Sequence, residues 1–83
     1  MKLTLEPDCS RTMVRCDMGE FVAMHTPEEC RVLVRVIDQS RPLRIVELGT
    51  WLGGVTALFC AAAPDAEVVS FERGDRGFPT SAT

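Results

Sequence analysis

Lysine is almost missing from this chain. Lys2 is the only one, and the remaining positive charge sits on scattered arginines. No Lys/Arg run forms, and the formal net charge is −3, which argues against a nucleic-acid-binding surface. No apolar stretch approaches the roughly 20 residues of a membrane span, so no membrane partner is expected. The opening "MKLTLEPDCS" has no apolar core of signal-peptide length before Pro7, which points to a cytoplasmic protein. The four cysteines, Cys9, Cys16, Cys30 and Cys60, show no C-x-x-C pairing, and the single histidine, His25, has no partner at ligand spacing. A metal site is therefore not expected. An even cysteine count leaves disulfides open, but Cys30 and Cys60 fall within apolar helical patterns, where a reduced thiol acts as a small hydrophobe. Repeats and low-complexity tracts are absent too, and 83 residues allow at most one small domain.

What is present becomes legible from residue 26. Residues 1–25 read as an N-terminal extension with short strand candidates. "KLTLE" alternates until Pro7-Asp8, "TMVRC" is a second candidate, and "GEFVAM" fits strand or helix. "TPEE" then places Thr26 as an N-cap, Pro27 at the first helical position and Glu29 at the third, the pattern of a capping box. Cys30, Leu33, Val34 and Ile37 follow at i, i+3, i+4, i+7, one helical face. Pro42 ends this helix, because the residue before a proline avoids helical geometry.

Leu43–Leu48 reads as a strand with apolar residues on both faces, Ile45 on one and Val46 and Leu48 on the other. Such a strand is expected to be covered on both sides, as in a parallel sheet. A glycine cluster follows in "VELGTWLGG", residues 46–54. Gly53–Ala63 reads as a helix stopped by Pro64-Asp65, and "EVVSFE", residues 67–72, as a second strand. The expected architecture is α/β: a helix and then one βαβ unit of a doubly wound, Rossmann-like sheet, truncated after the second strand. A frayed, disordered tail is expected at 76–83.

The glycine turn lies at the carboxyl end of a strand, where open α/β sheets bind ligands. Gly49 permits a sharp turn. Gly53 and Gly54 permit close backbone approach, and the first N–H groups of the helix can meet an acceptor. Glu47 changes the diagnosis. A carboxylate two residues before Gly49 repels a diphosphate and suits a cationic or hydroxyl-bearing ligand. Glu72 stands 23 positions after Gly49, near the spacing at which an acid holds a ribose diol.

At these residues the chain resembles the class I S-adenosylmethionine-dependent methyltransferases. "VELGTWLGG" looks like their motif I, E/D-x-G-x-G-x-G, matching at Glu47, Gly49 and Gly53. "VVSFE" looks like their second-strand motif, ending in its acid at Glu72. Trp51 stands where the middle glycine usually does and would strain a turn that needs positive φ there. The form E-x-G-x-x-x-G-G also resembles the branch near the cephalosporin-hydroxylase-like and sugar O-methyltransferase groups. The resemblance covers roughly residues 27–75, so that 26–75 is expected to be the start of a cofactor-binding domain.

The resemblance implies S-adenosylmethionine as cofactor, held by Glu47, Gly49, Thr50, Trp51, Gly53, Gly54 and Glu72. It also implies methyl transfer, on a small molecule or a sugar hydroxyl. It supplies no catalytic base. His25, just before a helix cap, reads as a surface residue, and Thr50 and Thr56 are hydroxyls near the turn with no distinguishing mark.

The helix after the turn has no charge between Trp51 and Pro64, so it should be buried on several sides. Two strands and two helices do not supply that cover. The family's remaining strands would, and the 83 residues alone are expected neither to bind cofactor tightly nor to methylate. Two rivals stand beside this reading. A fragment of an NAD-binding dehydrogenase would show G-x-G-x-x-G, where the chain has G-T-W-L-G-G. A small non-enzymatic module would self-associate or pair with a partner through its open strand edge.

Overall fold

The computed structural model describes residues 2–72. The expected tail at 76–83, and positions 73–75 of the expected cofactor domain, lie outside the described residues. In order, the elements are β1 (Leu3–Asp8), β2 (Arg11–Cys16), β3 (Gly19–Ala23), α1 (Pro27–Ser40), β4 (Arg44–Leu48), α2 (Gly54–Ala62) and β5 (Glu67–Phe71). They make an α/β structure with two sheets, an antiparallel meander β1-β2-β3 and a parallel pair β4-β5.

Residues 3–23 thus form three strands, and β1 runs on through Pro7. A proline interrupts a ladder only where its missing N–H is needed. β1 is an edge strand paired with β2 alone among the described residues, so Pro7 is tolerated there. Each hairpin turns in two residues, Cys9-Ser10 and Asp17-Met18, with Cys9 at φ 58. On the inner face Thr12 and Val14 are fully buried. The Thr12 hydroxyl donates to the carbonyl of His25 at 2.7 Å, tying the meander to the entrance of α1.

α1 starts as its sequence dictates. Thr26 Oγ1 accepts from the Glu29 N–H, while the Thr26 N–H donates to Glu29 Oε1 at 2.8 Å. Cys30 and Ile37 are buried on the expected face, and Leu33 and Val34 pack beside them. Arg41 takes the left-handed conformation after the last turn, and Pro42 follows.

The meander also answers the question of what covers α2. That helix packs on β2, β3, α1 and β5, with Ala57 and Leu58 in the core beside Val14, Ala23 and Cys30. Much of the cover comes from the least readable part of the sequence. β4 departs from expectation in the other direction. Ile45 and Glu47 face α2, but on the opposite face Val46 is 57% and Leu48 85% exposed. Among the described residues this face is therefore the less covered of the two, with Val69 half-buried on it.

Candidate functional site

The β4-β5 ladder continues one residue past β4, where the Gly49 N–H donates to the Phe71 carbonyl at 2.6 Å. The chain then reverses through Thr50–Gly53, closed by the Gly53 N–H donating to the Thr50 carbonyl at 2.9 Å. Gly49 at φ 96 and Gly53 at φ 88 use their freedom in making this bend. Trp51 does not have that freedom, yet sits at φ 52. The turn therefore does require a left-handed residue where the resembling family has glycine. The indole lies beside Gly49: a Cβ placed on that glycine would come within 3.3 Å of Trp51 Nε1.

Gly54 lies against β3 as well as on the cavity wall. A Cβ there would run into the backbone of β3, at the Ala23 nitrogen and the Val22 carbonyl. Gly53 bridges Val22 alongside. The close approach that Gly54 permits is to the meander, and it seats the start of α2 against β3.

Glu47 is 9% exposed, and its carboxylate is the centre of a hydroxyl network. Thr56, on α2, donates to Oε1. Ser70, opposite Glu47 in the β5 register, donates to the same oxygen at 2.8 Å. Thr50 Oγ1 lies 2.6 Å from Ser70 Oγ. A serine hydroxyl has one proton, and that of Ser70 is committed to the carboxylate, so Thr50 is the donor in this last bond. Two hydroxyls thus converge on one carboxylate oxygen and fix the direction of the Glu47 side chain.

Beside this network opens a cavity of about 460 Å³, within the size range of small-molecule sites. It is lined by Glu47, Gly49, Thr50, Trp51 and Gly54, together with Val46, Leu48, Leu33, Val55, Phe59 and the Val22–His25 segment. Five of the seven expected site residues thus share one concave surface. Gly53 and Glu72 do not line it. Glu72 follows β5 and is 8% exposed. Ser70 and the β3–α1 connection are participants that sequence reading missed. The signal for Ser70 was its place in "EVVSFE": aligned with Glu47 across a parallel pair, it falls directly opposite the acid. His25 is exposed, with Nδ1 3.7 Å from Glu29 Oε1.

Among the described residues no group of three or more His, Cys, Asp or Glu could hold a metal ion. No described helix is long and apolar enough to cross a membrane. Comparison of the chain with family models, with curated proteins and with solved structures finds no match.

Proposed function

We propose that the chain carries the cofactor-binding start of a class I S-adenosylmethionine-dependent methyltransferase. In this reading β4, the glycine turn, α2 and β5 are the first βαβ unit of a doubly wound, Rossmann-like sheet. The observation that carries it is the Glu47 carboxylate, held in place by the Thr56 and Ser70 hydroxyls on the wall of a cavity shared with Gly49, Thr50 and Trp51.

That arrangement discriminates between ligands by charge. A phosphate about 4 Å from a fixed carboxylate is disfavoured by roughly 4 kcal/mol per unit charge at an effective dielectric near 20. This is about a thousandfold in affinity and argues against NAD. A cationic amino or sulfonium group gains from the same field. Bound S-adenosylmethionine would supply a sulfonium methyl to a nucleophilic substrate atom. The chain's own residues would bind and orient: Glu47 the cationic end, Gly49 and Thr50 through close backbone approach, Trp51 as an apolar wall. The ribose role implied for Glu72 requires its buried carboxylate to turn outward.

Titration of the isotope-labelled chain with S-adenosylhomocysteine and, separately, NAD tests this. Weak, saturable shifts at Gly49, Thr50 and the Trp51 indole with the first ligand alone are expected, and Glu47→Gln should diminish them. Equal response to NAD, or no response to S-adenosylhomocysteine, sinks the proposal.

A further inference from the structure

The face of the β4-β5 sheet turned away from α2 is built in three rows. Arg44 stands opposite Glu67, Val46 opposite Val69, and Leu48 opposite Phe71. Arg44 Nε pairs with Glu67 Oε1 at 2.7 Å. The other two rows are entirely apolar, with Leu48 85%, Val46 57% and Phe71 38% exposed. A lone exposed leucine needs no explanation, but a contiguous apolar patch on a bare sheet face marks an interaction surface.

We propose that this face packs against the same face of a second copy of the chain, with a two-fold axis running parallel to the strands. The face complements itself. Such an axis lays β4 of one copy over β5 of the other at the same height. Val46 then meets the partner's Val69, and Leu48 meets the partner's Phe71. Arg44 meets the partner's Glu67, so the two ion pairs close into a ring of four alternating charges. Each residue finds an acceptable counterpart without any change of register, the requirement for an isologous contact. Stacked sheets sit about 10 Å apart, close enough for these side chains to interdigitate.

Arg44 and Glu67 are exposed beside Leu48, Val46 and Phe71, while Val69 is half-buried, so the contact is a small one and the dimer a weak one. This surface is distinct from the strand edges, and it is the face that the second helix layer of a complete doubly wound sheet would cover, so the pairing is proposed for the 83-residue chain itself.

Sedimentation of the 83-residue chain over a wide concentration range is the test. A monomer–dimer equilibrium is expected, with no larger species. Leu48→Lys should give a monomer with an unchanged circular dichroism spectrum, since that side chain makes little contact within its own copy. Arg44→Glu alone should weaken dimerisation about tenfold or more by placing like charges together. Arg44→Glu with Glu67→Arg should restore it, because the swapped ring alternates as before. A chain monomeric at all concentrations overturns the inference. So does a dimer that survives Leu48→Lys, which would place the contact on a strand edge, or a double charge swap that fails to rescue.

Discussion

Ser70 and Glu47 lie opposite each other across β4 and β5, and the serine hydroxyl donates to Glu47 Oε1 at 2.8 Å. Thr56 reaches the same oxygen from α2. One buried carboxylate therefore joins both strands of the parallel pair to the helix that crosses between them. Hydrogen bonds to a charged acceptor contribute about 1.5–3 kcal/mol each. Thr56→Val should lower the stability of the chain by about 2 kcal/mol, read from the urea midpoint at constant slope. Ser70→Ala should cost a similar amount. A loss below about 0.5 kcal/mol in both, no more than an ordinary surface substitution produces, would show that the network does not hold the fold.

The positive φ of Trp51 can be separated from its indole. Trp51→Ala removes the ring and keeps the left-handed backbone, whereas Trp51→Gly removes both. Residues with a Cβ lose about 1–2 kcal/mol in this conformation, so the glycine variant should be more stable than the alanine variant by about 1 kcal/mol. Equal stability of the two variants would mean that the turn relaxes to negative φ.

Gly54 and Gly53 are adjacent but constrained for different reasons. Gly53→Ala meets backbone strain at φ 88, with an expected cost of about 1–2 kcal/mol. Gly54→Ala drives a methyl group into the main chain of β3, which cannot rotate aside as a side chain can. Its cost should be the larger, about 3 kcal/mol or more. In a chain of this size that corresponds to a melting point lower by more than about 10 °C. A Gly54→Ala variant melting within a degree or two of the parent would show that β3 does not lie against the start of α2.

These residues also show what could be read in advance. The cap of α1 was legible because Thr26, Pro27 and Glu29 act within one turn and need nothing distant. β4 and β5 were legible from local composition. The three strand candidates of residues 1–25 were legible too, but their pairing into a meander was not: its two-residue turns carry neither Asn-Gly nor Asp-Gly, and Pro7 reads as a stop unless its strand is known to be an edge. For Gly54, a glycine reports only that something comes close, and that β3 does so is a tertiary fact. Ser70 was hidden for the same reason, since its role exists only in the register with Glu47.

The capping box makes α1 sensitive to acid. The Glu29 carboxyl is held below its usual pKa, chiefly by the backbone N–H of Thr26, then by the Thr26 hydroxyl and by His25. A carboxyl with a depressed folded-state pKa contributes stability above its unfolded value and loses it as pH falls through the folded one. The first turn of α1 should therefore stay protected at neutral pH and fray at pH values below the ordinary glutamate range. Amide exchange at Glu29 and Cys30, followed against pH, reads this directly. Thr26→Ala should move the Glu29 titration upward, and an unmoved titration would show that the box does not form in solution.

The four thiols should differ in reactivity according to burial. Cys9 is exposed in the first hairpin turn, whereas Cys30 is fully buried beneath the meander. Burial raises the Cys30 thiol above its ordinary pKa, with only partial opposition from the Thr12 hydroxyl, and burial raises Cys60 as well. Since the thiolate is the nucleophile, both inaccessibility and the upward shift slow Cys30. A disulfide reagent at neutral pH should consume Cys9 first and Cys30 last, with Cys30 reacting only as fast as the chain opens. Val14→Ala, which leaves a hole in the core beside Cys30, should speed Cys30 and leave Cys9 unchanged. Equal rates for Cys9 and Cys30 in the parent chain would mean that the three strands of residues 3–23 do not stay packed on the helices.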